Sequence, residues 1–102
     1  MRPHVLSDDD IVAKLTEFPD WSRHGVEIRR SITYPSFLIA VDAVGQIAAA
    51  AEELDHHPDI DIRWRTLHFT LTTHDCGGLS RLDFDLAGRI DEISMSLGAV
   101  GA

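Results

Sequence analysis

Between residues 59 and 73 the chain alternates with a period of two. Ile60, Ile62 and Trp64 take turns with Asp59, Asp61 and Arg63, and Leu67, Phe69 and Leu71 with His68, Thr70 and Thr72. Successive side chains of a strand point to opposite faces, so the pattern predicts an antiparallel hairpin with one apolar and one polar face. A two-residue turn at Arg65-Thr66 would set Trp64 against Leu67, Ile62 against Phe69 and Ile60 against Leu71, apolar against apolar throughout. Arg-Thr lacks the Asn-Gly character that such turns favour. Extended by a few residues, this register sets His57 opposite His74, so hairpin geometry alone would make neighbours of two histidines distant in sequence.

The remaining segments read as one more hairpin and three helices. Ser7 can cap a helix whose first turn, Asp8, Asp9 and Asp10, complements the positive end of the helix dipole. Ile11, Leu15 and Phe18 follow at helical spacing until Pro19 stops the run. Residues 21–34 hold Val26, Ile28, Ile32 and Thr33, which favour strands, with Gly25 as the turn. Pro35 suits the first turn of a long helix. That helix has two apolar faces, Phe37, Val41, Val44, Ala48 and Ala51 on one and Ile39, Ala43, Ile47, Ala50 and Leu54 on the other. Asp42, Gln46 and Glu53 leave only a narrow polar stripe, so the helix must be covered on more than one side, by another helix or another subunit. Ser80 and Asp83 resemble a capping box, and Leu82, Leu86, Ile90, Ile93 and Leu97 make a final amphipathic helix, after which residues 98–102 are expected to fray. The order α-β-β-α-β-β-α predicts an α+β two-layer fold, a four-stranded antiparallel sheet with helices on one face, as one domain over residues 1–102.

Composition narrows the partners. A chain of 102 residues buries only about two-thirds of its unfolded surface, which makes oligomerisation a natural further source of stability. Nine basic against seventeen acidic side chains give a formal charge of −8, which repels phosphate backbones and anionic membranes, so neither nucleic acid nor a membrane is an expected partner. Cys76 is the single cysteine, which excludes an internal disulfide and fits a reducing compartment. No apolar run approaches the roughly 20 residues of a membrane helix, and Met1-Arg2-Pro3-His4 opens nothing like a secretion signal. A cytoplasmic location is the expectation.

The densest polar cluster is Glu52-Glu53-Leu54-Asp55-His56-His57-Pro58 at the end of the long helix. Histidine can donate or accept a proton near neutrality, and nearby carboxylates can fix its tautomer. His74, at a strand end before the loop Asp75-Cys76-Gly77-Gly78, joins them if the hairpin register holds. Each of these residues has a plainer reading: histidines that satisfy a helix end, a solvated loop residue at His74, a helix-start carboxylate at Asp83, an apolar-face side chain at Trp64. His56, His57, His74 and Cys76 are also zinc-ligand types, but no His-x-x-x-His or Cys-x-x-Cys spacing is present, so no metal is expected.

The ordered pattern of an acid, three residues, His-His-Pro, five residues, an aromatic, nine residues, His, eight residues and Asp is filled here by Glu52, His56-His57-Pro58, Trp64, His74 and Asp83. It resembles the pterin-4a-carbinolamine dehydratases, most clearly over residues 35–93, more weakly over 21–34 and little in the first twenty. Ile60 departs from members that carry tryptophan there. The resemblance implies a lyase without cofactor, acting on the 4a-hydroxytetrahydropterin (4a-hydroxytetrahydrobiopterin) left by aromatic amino acid hydroxylases and releasing quinonoid dihydropterin and water. It implies His56, His57 and His74 as catalytic residues, with Glu52, Asp55, Trp64 and Asp83 supporting them or binding substrate. It further implies a homodimer built through sheet edges or a homotetramer built through the long helix. The alternative is a non-catalytic dimerisation module that contacts a protein partner through that helix.

Overall fold

The computed structural model describes residues 3–101. Its elements are α1 (Asp8–Leu15), β1 (Ser22–His24), β2 (Glu27–Thr33), α2 (Phe37–Leu54), β3 (Asp59–Arg63), β4 (Thr66–Leu71), a 3-10 turn (His74–Cys76), α3 (Arg81–Ser96) and β5 (Val100–Gly101). The four longer sheet strands are antiparallel in the order β1-β2-β4-β3, giving the expected α+β architecture. Ile28 and Ile32 of β2 and Leu67, Phe69 and Leu71 of β4 pack against Ala40, Ala43, Ile47 and Ala51 of α2 and Phe84, Leu86, Ala87 and Ile90 of α3. The alternation of these strands therefore buries one face of the sheet beneath the helices. The other face carries Ser31, Thr33, Thr66, His68 and Thr70, with Ser31 Oγ 2.6 Å from His68 Nδ1 and the Thr33 and Thr66 hydroxyls 2.9 Å apart.

Capping follows the sequence closely. Ser7 accepts from the Asp10 amide at 3.1 Å. Ser36, not Pro35, caps α2 by accepting from the Ile39 amide at 3.1 Å, so Pro35 stands before the cap instead of in the first turn. Only one face of α2 is covered: Ala40, Ala43, Ile47, Ala50 and Ala51 are buried, whereas Phe37, Leu38 and Val41 are 49, 77 and 45% exposed. Ala48, assigned to the same face as Phe37 and Val41, is exposed too.

Two further expectations are corrected. The β3–β4 turn falls at Trp64-Arg65, pairing Ile62 with Leu67 and Ile60 with Phe69, two residues away from the register expected. A slip of two keeps every side chain on its face, so alternation cannot distinguish the two registers. The choice is made locally: Trp64 takes a left-handed backbone, φ 54°, and the Arg65 carbonyl accepts from the Tyr34 amide at 2.8 Å. The second correction concerns the tail. Instead of fraying, Val100 and Gly101 pair with Thr33 and Ile32 of β2, beyond the end of β1. Gly98, at φ 75°, reverses the chain after α3 and delivers the tail to that edge. Ala102 lies outside the described residues.

Candidate active site

The site begins where α2 ends. Asp55 adopts a left-handed backbone, φ 48° and ψ 45°, and the His56 amide donates to the Ala51 carbonyl at 3.0 Å. This is the arrangement in which helices usually spend a glycine. It reverses the chain so that consecutive histidines part company. His56 turns inward and is buried; His57 stays exposed. The opposing wall comes from the end of β4, where Thr73 exchanges backbone hydrogen bonds with Gly78 (3.0 and 3.4 Å) and closes a small loop around the 3-10 turn. That loop presents His74 beside the α2 terminus.

Asp55, His56, His57, Thr72, Thr73, His74 and Asp75 line one open cavity of about 180 Å³. The two walls meet as the sequence expects, but by a different route. In the observed register a continued ladder would set His57 opposite Thr72, and His74 reaches the cavity through the 3-10 turn rather than by direct pairing.

Each histidine of the α2 terminus is held by a carboxylate. His56 Nε2 is 2.6 Å from Asp83 Oδ1, both side chains being buried. Asp83 is fully enclosed, and its second oxygen accepts from the Thr73 hydroxyl at 2.8 Å and the Ser80 amide at 3.0 Å. Two donors thus converge on Oδ2, and an ionised Asp83 would accept from His56 at Oδ1, with N–H at Nε2 and Nδ1 as the other ring nitrogen able to take or give a proton. His57 Nε2 lies 2.9 Å from Glu52 Oε2 in a pair that solvent reaches freely. Glu52 and Asp83 therefore stand behind the cavity histidines, not in its lining.

Trp64 does not join this cavity within the chain. It sits at the tip of the β3–β4 hairpin, 72% exposed, with the Arg65 guanidinium 4.9 Å from its ring centroid. Five strand residues, roughly 17 Å, separate that tip from Pro58. Conversely, the spacing of the site motif assigns no role to Thr73. Its signal was present: Leu67, Phe69 and Leu71 point into the core, and Thr73 continues their parity, so a hydroxyl arrives at an inward position and must find a partner there.

Among the described residues, no cluster of three or more His, Cys, Asp or Glu side chains has the geometry to hold a metal ion. The arrangement is suited to moving protons. One buried imidazole, His56, and one exposed imidazole, His57, stand at the helix end, each oriented by an acid, across an open cavity from a third, exposed imidazole on the facing loop.

Residues 4–93 match the family model for pterin 4 alpha carbinolamine dehydratase, so the likeness reaches well into the first twenty residues, where the motif carries little. A Nocardia farcinica protein named for that dehydratase is 51% identical over 94 residues, spanning 92% of this chain and 99% of its own. Among solved structures, the transcriptional coactivator/pterin dehydratase of Brucella melitensis aligns with a TM-score of 0.85 at 28% identity, over 88% of this chain and 98% of that one. A pterin dehydratase-like protein described as a RuBisCO assembly factor of the alpha-carboxysome shares the fold, with a TM-score of 0.60 at 19% identity over 72% of this chain and 86% of its own.

Proposed function

The chain belongs to the pterin 4 alpha carbinolamine dehydratase family, and on that premise we propose that it dehydrates a 4a-hydroxytetrahydropterin to quinonoid dihydropterin and water by histidine acid–base catalysis. The observation that carries the reading is the shared cavity of His56, His57 and His74. Loss of water from the carbinolamine needs two proton transfers. An acid protonates the 4a-hydroxyl as its C–O bond breaks, and a base takes the proton from the adjacent ring nitrogen, whose electron pair closes the C=N bond. Neither transfer requires a covalent intermediate, and each is worth roughly 10²–10⁴-fold when a positioned group performs it.

His56 and His74 are the principal proton-transfer pair in this reading, one from each wall, and His57 orients and binds the pterin. Glu52 holds His57, Asp83 holds His56, and Asp55 offers a carboxylate at the cavity rim. The test is dehydration of freshly generated 4a-carbinolamine with and without protein. The expected result is acceleration by the wild type, and a loss of at least a hundredfold in His56→Ala and His74→Ala with the fold retained. Undiminished turnover in both variants would remove the mechanism.

A second reading draws on the exposed apolar face of α2, Phe37, Leu38 and Val41. It makes the chain a homodimer or homotetramer, or a module that offers this face to another protein. As a non-catalytic role it predicts that association survives loss of the histidines.

A further inference from the structure

We propose that Thr73 is a positioning residue of this site, acting through Asp83 to hold His56 in a single tautomer with its proton on Nε2. The proposal rests on the dehydratase reading for its catalytic consequence, but not for its geometry. Thr73, Ser80 and Asp83 are 3, 0 and 0% exposed, so no solvent can substitute for a missing partner among them. Thr73 Oγ gives its proton to Asp83 Oδ2 (2.8 Å) and lies 2.7 Å from Ser80 Oγ. With the threonine proton committed, the serine hydroxyl must be the donor in that second contact. Ser80 Oγ in turn accepts from the Leu82 amide at 3.2 Å, and the Ser80 amide donates to Asp83 Oδ2 at 3.0 Å. Every donor in the ring points one way, towards the carboxylate.

The direction matters because a buried carboxyl group can orient an imidazole in either sense. A neutral acid with its proton on Oδ1 would donate to Nε2 and leave the ring proton on Nδ1. The two donors converging on Oδ2 stabilise the ionised carboxylate, which can only accept, so Oδ1 takes Nε2–H of His56 at 2.6 Å. Nδ1 then stays free of that bond, the nitrogen able to exchange a proton with a substrate. Thr73 belongs to β4's continuation and Ser80 and Asp83 to the start of α3, so the hydroxyl also ties the loop bearing His74 to the acid behind His56.

The test compares wild type, Thr73→Val, which keeps the branched shape without the hydroxyl, and Thr73→Ser, which keeps the hydroxyl without the methyl. Nitrogen-15 NMR of the histidine rings reads the tautomer directly, alongside kcat and KM for carbinolamine dehydration. The expected wild-type spectrum shows His56 protonated at Nε2 alone in its neutral form. Thr73→Val is expected to mix the tautomers or speed exchange of the Nε2 proton, and to lower kcat about tenfold with KM changed less than twofold. Thr73→Ser restores both readouts. A wild-type His56 with its proton on Nδ1 overturns the proposal whether or not Thr73→Val folds. So does a folded Thr73→Val with an unmixed Nε2 tautomer and unaltered kcat. If the wild type fails to dehydrate the carbinolamine, the catalytic reading falls while the tautomer measurement still decides this one.

Discussion

The phenol of Tyr34 meets the hydroxyl of Ser94 at 2.6 Å, joining the residue that follows β2 to the last turn of α3 inside the core. Removing the phenol oxygen strands the serine hydroxyl in a buried position. Tyr34→Phe is therefore expected to cost about 1–2 kcal/mol in urea unfolding. Burial raises the Tyr34 pKa above its ordinary value of 10.0, against the opposing pull of the Ser94 hydrogen bond and the Arg30 charge. The folded state thus keeps its proton where the unfolded chain releases it. That contribution is complete below pH 10 and is lost as pH rises from there through the raised value. Stability of the wild type should fall over that alkaline window more steeply than that of Tyr34→Phe.

The two faces of α2 should respond differently to change. Ile47→Ala opens a cavity beneath a fully enclosed side chain and is expected to cost about 2–4 kcal/mol. Leu38 is 77% exposed, so Leu38→Asp should leave the fold of the chain intact. If a second copy covers that face, the same substitution should move the protein to a smaller species in sedimentation velocity, and an unchanged profile would argue against coverage.

Glu52 and His57 form an exposed pair, and such pairs contribute about 0–1 kcal/mol to stability. Glu52→Gln should therefore leave the urea midpoint nearly unchanged. On the proposed reading its effect falls on turnover: with His57 less firmly oriented, kcat/KM for dehydration is expected to fall by about threefold to tenfold, a fraction of what a positioned acid–base group supplies. Loss of stability without loss of turnover would show that the pair serves the helix end alone.

The loop that bears His74 is braced from outside by the N-terminal segment. The Leu6 amide donates to the Leu79 carbonyl at 2.8 Å, and a Cβ placed on Gly78 would lie 2.9 Å from Val5 Cγ2. Gly78→Ala should lower stability by about 1 kcal/mol and make residues 3–6 more open to proteolysis. Val5→Ala in the same chain should restore both, since it removes the atom in conflict.

Much of this was legible in the sequence for a simple reason. Caps at Ser7, Ser80 and Asp83, the period of two in β4, and the helical spacing of α3 are all local signals, and local chemistry decides them. The errors fall where several arrangements satisfy the same pattern. The β3–β4 register is one, since a slip of two residues preserves both faces and only the Trp64 backbone and the Tyr34–Arg65 bond choose. The pairing of Val100 and Gly101 is another, because nothing in a short terminal run says that β2 has an uncovered stretch waiting for it. In the site, the motif brought His56, His57 and His74 into view together. Trp64 occupied its place in that motif yet sits at the hairpin tip, while Thr73, hidden in the strand's inward parity, became visible only once Asp83 had a position.

The tail strand bears on how copies of this chain can join. Together β1 and β5 occupy the outer side of β2 with pieces of three and two residues, too short and too interrupted to template a neighbour. The flank at β3 offers five continuous residues instead. If copies of this chain join edge to edge, a sheet blunt on one flank and open on the other adds only once: two molecules meeting β3 to β3 would consume each other's available border, and growth would halt at a closed pair rather than run on into a fibre.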